Sequence, residues 1–307
     1  MLRGYVPLLA IVAAIWGASY LFIKVAVDEV EPTAMMLFRL VLASLVLVPL
    51  IAWRLGPREA VEQVRRTGRG AFGVGLLNAA VPFTLIAWGE KHIDSGIAAI
   101  ANASVPIFVV LLALRFNPSE RVRGIRLAGI LVGLLGVGVL TGLHPEGGWL
   151  AVAGTLAVVV ASLSYAGANH LVQHRYAGTP ALVTTTASSL TGAVILLPFA
   201  LFQLPGEVPS WEAIGSIVAL GVLATAVALL FYFRMLGLYG ASRSSLVTYL
   251  LPPTALVYGV LILDERVTLN AALGLVLILA GVALGSGAGG GLLGRRRREA
   301  VPATPRS

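Results

Sequence analysis

Polar side chains recur at helical spacing inside segments that are otherwise hydrocarbon. Trp16, Tyr20 and Lys24 lie four residues apart with Ser19 alongside; Ser162, Tyr165 and Asn169 keep a similar spacing, as do Ser245, Thr248 and Tyr249. Each set falls on one face of a helix. Lipid disfavours such a face, so it turns toward a bundle interior or a wet cavity, although single small hydroxyls also serve as glue between helices. Aromatic faces hold the apolar or cationic part of a ligand, while amides and hydroxyls orient its polar end. The chemistry on offer is recognition, carried by Trp16, Ser19, Tyr20, Asn78, Asn102, Tyr165, Asn169, Thr248 and Tyr249.

Two prolines sharpen that reading. Pro106 and Pro252, the latter followed by Pro253, interrupt apolar runs in the two halves of the chain. A proline frees the carbonyl one turn earlier, so Asn102 and Thr248 or Tyr249 are expected beside unpaired backbone acceptors. A kink needed only for packing is the alternative. Arg39 lies about six residues into an apolar run, roughly 9 Å from its start at 1.5 Å per residue. It either snorkels or pairs with Glu31 or Glu90, or it meets a substrate carboxylate as an external gate. Arg39 and Glu90 are thus the candidate gating or charge-pair residues. No aspartate or glutamate falls within the middle of an apolar run, and His170 lies near the end of one, so the carboxylate relay of a proton-driven pump is not expected. Nor does the middle of any run cluster Lys or Arg for a polyanionic cargo.

The elements that must position these residues follow from composition. Of 307 residues, 58% are hydrophobic and 12% charged, about half the charge a soluble surface carries. Apolar runs of about 20 residues recur along the whole length, each able to cross roughly 30 Å of hydrocarbon. An all-α membrane protein of ten transmembrane helices is expected, with spans near 5–25, 33–53, 70–89, 95–115, 124–142, 149–172, 179–202, 211–233, 242–263 and 267–287. The first run is too long for a signal-peptide core and is taken as a span. Zero cysteines exclude disulfides, thiolate metal sites and a cysteine nucleophile. No cofactor and no metal are expected.

With the N-terminus placed inside, 18 of the 22 Lys and Arg residues fall on that side, and only Lys24, Lys91 and Arg266 on the other. That asymmetry predicts a multi-pass protein of the cell inner membrane with both termini cytoplasmic. The net charge of +8 is concentrated in these inner loops and in the tail with Arg295 to Arg298, which reads as an anchor for anionic lipid. Nucleic acid is not an expected partner, because no folded domain or aromatic platform accompanies the basic run. The expected partners are the bilayer and a small-molecule substrate.

The chain repeats itself. Glu120-Arg121-Val122 matches Glu265-Arg266-Val267, and glycines follow at the same spacings: Gly129 and Gly136, Gly274 and Gly281, an offset of 145. Upstream, Gly75 pairs with Gly221, Ala80 with Ala226 and Pro106 with Pro252, at an offset of 146. Five spans per copy is an odd number, so the second copy enters the membrane from the opposite side. The expected organisation is a first repeat at 1–145, an inverted second repeat at 146–288 and a basic tail at 289–307. Glu120 and Glu265 are expected to be helix-start residues, favoured by free N–H groups. Inverted repeats place a site at their interface near the midplane, where Pro106 and Pro252 mark matching positions.

These residues resemble a known family. The run from Ala13 to Lys24, the arginine of the run from Met35 to Leu45, and the paired endings with Pro, Glu-Arg and two glycines are similar to the ten-span drug/metabolite transporter superfamily of the EamA type. The resemblance covers residues about 8 to 285 and implies a carrier of amino acids, metabolites or drugs, often an exporter, with a central cavity shared by two halves. It is not uniform, since the second half lacks the Trp-Gly of the first span and an arginine matching Arg39. Small neutral or zwitterionic metabolites, exported by alternating access, are the expected cargo.

Two other classes compete. An intramembrane enzyme would need a catalytic motif, and no H-E-x-x-H, G-x-S-x-G or pair of intramembrane aspartates is found. Two glycine patterns, beginning at Gly68 and Gly285, match a dinucleotide fingerprint without the strand that gives it meaning. A passive pore is the second rival, distinguished by lack of saturation and exchange. The Gly129-x-x-x-Gly133 and Gly281-x-x-x-Gly285 motifs allow close helix approach, within the chain or across a homodimer.

Overall fold

The computed structural model describes residues 2–116, 124–141 and 148–285. Every regular element among them is helical. Seven helices of 19 to 29 residues are long and apolar enough to cross a membrane: Gly4–Val27, Pro32–Leu55, Gly70–Glu90, Ser95–Ala113, Gly148–Arg175, Ala181–Ala200 and Trp211–Tyr239. Three shorter apolar helices, Leu127–Leu140, Val247–Ile262 and Leu269–Leu284, complete the set. In chain order these are spans one to ten, as the hydropathy pattern required. Within the spans each backbone N–H finds its carbonyl locally, the only economical solution in lipid. Exposed indoles ring the ends of three spans: Trp53, Trp149 and Trp211 are 81, 86 and 84% exposed, as in an interfacial aromatic belt.

Boundaries depart from the sequence expectation where glycine intervenes. Span eight runs on to Tyr239 and stops at Gly240, whose φ of 81° ends the helix. Span nine consequently begins at Val247, after a separate turn, Ala241–Ser244. Pro57–Arg66 forms a short charged helix that hydropathy did not reveal; Ala60 packs against Ile51 and Val183 while Arg58, Glu59, Glu62, Arg65 and Arg66 ride on its surface. Such a helix lies along a membrane interface.

The inversion is visible where spans five and ten cross. A Cβ at Gly281 would meet the backbone of Gly133, and one at Gly136 would come 2.7 Å from the nitrogen of Ile278. Residue numbers rise along one helix as they fall along the other, so the two are antiparallel. Moving each partner by the repeat offset converts the first contact into the second, which places a pseudo-twofold axis in this crossing. Gly133 and Gly281, one from each glycine motif, thus meet each other inside the chain.

The repeats share an irregularity. Leu76–Ala80 in span three and Ala219–Val227 in span eight are π-helical, at matching positions of the two copies. A π-turn widens the helix and leaves carbonyls free for other donors. The proline positions are less symmetric than the sequence implied. Span four breaks at Ala103–Ser104, so Pro106 sits in the first turn of a new segment, Val105–Phe116. In span nine Pro252 and Pro253 lie within a continuous helix.

Candidate functional site

The polar contacts in the middle of the bundle tie spans one and four to each other and to span six of the other repeat. Tyr20 in span one accepts a hydrogen bond of 2.8 Å from Asn102 Nδ2 in span four. Ser162 in span six stands 3.2 Å from Asn102 Oδ1 and 3.1 Å from the Val158 carbonyl. Asn102 is thereby fixed in orientation, and its place one residue before the break in span four exposes it to this seam. The Tyr20 hydroxyl keeps its own proton to donate.

A second set surrounds Arg39, which is 7% exposed. Its Nε donates to Thr225 Oγ1 at 3.0 Å, and its guanidinium carbon lies 3.9 Å from the centroid of Phe83. Phe83 in turn stands edge-on to Tyr165, centroids 6.4 Å apart. Thr225 belongs to the π-turn of span eight, and its hydroxyl also reaches the Leu220 carbonyl at 2.8 Å. Trp16 uses the same irregularity: its Nε1 donates to the Ala224 carbonyl at 3.0 Å, and its ring packs on Tyr232. In span three, the Leu77 carbonyl within the matching π-turn accepts from Ser164 at 2.9 Å. Stacking of a cation on an aromatic face contributes up to about 2 kcal/mol when desolvated.

The acid-rich end is tied down by capping contacts. Glu265 accepts from the Ser95 N–H (2.7 Å), the Ser95 hydroxyl (2.9 Å) and the Gly96 N–H (3.2 Å). It is a helix-start carboxylate as expected, but the helix is span four of the other repeat, not its own span ten. Its counterpart Glu120 lies outside the described residues. Asp264, the neighbour with φ of 56°, makes the turn that delivers it. Glu29 accepts from the N–H and hydroxyl of Ser210, at 2.6 and 2.5 Å, at the start of span eight. Those bonds, the hydroxyl's first, hold its carboxyl below the usual carboxylate range.

Of the residues selected from sequence, Trp16, Tyr20, Arg39, Asn102, Ser162 and Tyr165 gather at the repeat seam. Ser19 and Pro252 are buried; Asn78, Pro106 and Tyr249 are half-buried, Asn78 inside the π-turn and Tyr249 against the main apolar core. Asn169 and Thr248 are exposed, and the Thr248 hydroxyl is turned back to its own Ser245 carbonyl at 2.7 Å. Arg39 and Glu90 form no salt bridge with each other, and Glu31, the other partner considered for Arg39, pairs instead with Lys91 at 2.7 Å. Sequence reasoning missed Phe83 and Thr225. Thr225 left a trace, as the lone hydroxyl in the apolar run from Val218 to Leu230.

Known proteins share this architecture. The model of the EamA-like transporter family matches residues 4–142 and again 152–286. The uncharacterized transporter YoaV of Bacillus subtilis is 26% identical over 274 residues, 88% of this chain and 92% of that protein. A protein of Streptantibioticus cattleyicolor named "Probable terminal-alkyne amino-acid exporter" is 30% identical over 310 residues, 96% of each. A solved crystal structure superposes with a TM-score of 0.63 at 20% identity, covering 96% of this chain and 99% of that one, a likeness of fold alone.

Proposed function

We propose that this chain, which belongs to the EamA-like transporter family, exports small neutral or zwitterionic metabolites, amino acids among them, from the cytoplasm by alternating access. The observation that carries the reading is the seam itself: Tyr20, Asn102 and Ser162 bridge the two inverted repeats at a break in span four. A seam of weak, mutually compensating hydrogen bonds, each worth about 1 kcal/mol net, can part and re-form at little cost. Its chemistry suits the proposed cargo. Hydroxyls, an amide and aromatic faces recognise a small organic body, and the single guanidinium of Arg39 is enough for one carboxylate but not for a polyanion. The amino-acid exporter among the relatives agrees with that class. The basic inner loops support a cell-membrane location with cytoplasmic termini.

The two halves rock about the antiparallel crossing of spans five and ten, with span four, broken at Asn102, as the jointed element. No step of bond chemistry is assigned to the protein. The test is exchange in liposomes: purified protein should catalyse counterflow of a radiolabelled mixture of neutral L-amino acids, which a passive pore cannot do. Asn102→Ala and Tyr165→Ala should abolish it while remaining monodisperse. Undiminished exchange in both variants overturns the site, and flux without counterflow overturns the carrier.

A further inference from the structure

Glu90 ends span three, is 0% exposed, and neither of its carboxylate oxygens has a hydrogen-bond partner. The fold seals it in. Lys24 reaches the place without satisfying it: its Nζ donates to the backbone carbonyls of Glu90 (2.7 Å) and Ile93 (3.0 Å), the free end of span three, and not to the carboxylate. The adjacent Gly89 packs against the backbone of Gly154 and the side chain of Val158 on span six. The titratable groups that face Glu90 are Lys24 and Tyr20 from span one, Arg39 from span two and Glu265 from the turn before span ten. Span six meets the end of span three at Gly154 and Val158, and His92, two residues on from Glu90, stands edge-on to Trp88.

Leaving an ionised carboxylate buried with no hydrogen bond costs several kcal/mol, so the neutral acid is the form that this arrangement accommodates. A sodium ion is a poorer fit. It would need several more oxygens, and the two carbonyls at hand are already occupied by Lys24. Glu90 also sits where the repeats meet, beside the Glu265 contact that closes the acid-rich end. Parting that contact admits water to Glu90 and removes the reason for it to stay neutral. Any equilibrium in which one arrangement binds a proton and the other does not is biased by pH.

We propose that Glu90 is a proton-binding site: the closed arrangement carries a proton on its carboxyl, opening of the acid-rich end releases that proton to the water on that side, and closing takes one back from the same side, so that acid there holds the carrier closed. The inference rests on the carrier reading above. It also supplies what the sequence lacked, a titratable acid within the bundle.

Two measurements decide it. Infrared spectra of the wild-type protein in lipid at neutral pH should contain a carboxylic-acid C=O band that Glu90→Gln removes; a wild type without that band overturns the proposal, whatever the substrate. In liposomes, counterflow of the neutral amino-acid mixture should survive in Glu90→Gln, since glutamine mimics the neutral acid and the variant stays monodisperse. The wild-type rate should fall several-fold as the pH is lowered from about 8 to about 6, and the Glu90→Gln rate should not change. A Glu90→Gln rate that falls with acid as steeply as that of the wild type overturns the proton site while leaving the carrier intact. Loss of counterflow in the wild type itself is the failure of the carrier reading.

Discussion

At the scale of single residues, the structure converts a set of polar letters into partners. Arg39 is a case where charge alone is not the point. Its guanidinium donates through Nε to Thr225 while lying 3.9 Å from the Phe83 centroid, a pairing that an ammonium on a longer flexible stem does not reproduce together. Arg39→Lys keeps the charge and loses both, so amino-acid exchange in liposomes should fall by about an order of magnitude with insertion unchanged. Glu29 gives a pH dependence with a definite sign. Its folded value lies below that of the unfolded chain, so the tie to Ser210 stabilises the fold above the unfolded value of about 4.3 and is lost as pH falls through the folded one. The melting temperature of the wild type should therefore drop more steeply on acidification below that range than that of Glu29→Gln, whose amide does not titrate.

At the scale of elements, the spans were legible because roughly 20-residue apolar runs allow no other structure in lipid, and the repeat because glycines and the Glu-Arg pair recur at a constant offset. What the sequence could not show follows from physics that leaves no residue signature. A π-turn uses the same apolar residues as an α-turn, so Leu76–Ala80 and Ala219–Val227 were invisible, although the matched Gly75 and Gly221 stand beside or within them. The partner of Glu265 is a helix 170 residues away, chosen by packing and not by neighbourhood. Thr225 and Phe83 matter only because the second repeat folds back onto the first. The glycine crossing is open to direct test. Gly281→Ala thrusts a methyl group into the backbone of Gly133 and should cost about 1–3 kcal/mol, seen as a lower melting temperature. Gly138→Ala on the same span five, where nothing lies within 4 Å, should leave it unchanged.

At the scale of the whole molecule, two inverted five-helix repeats meet along a seam of contacts from one to the other: Asn102, itself bonded to Tyr20, to Ser162, Arg39 to Thr225, Phe83 to Tyr165, Trp16 to Ala224. Under the proposed alternating access, a motion that opens one end is mirrored by closure of the other. The chain has zero cysteines, so pairs of spin labels can be placed without first removing any. Labels at Ile97 and Leu261 report the acid-rich ends of spans four and nine, and labels at Arg115 and Arg243 their opposite ends. Pulsed electron spin resonance in membranes, before and after addition of the amino-acid mixture that exchanges in liposomes, measures both distances. The account predicts that one pair lengthens as the other shortens; both pairs lengthening together, or neither responding, contradicts it.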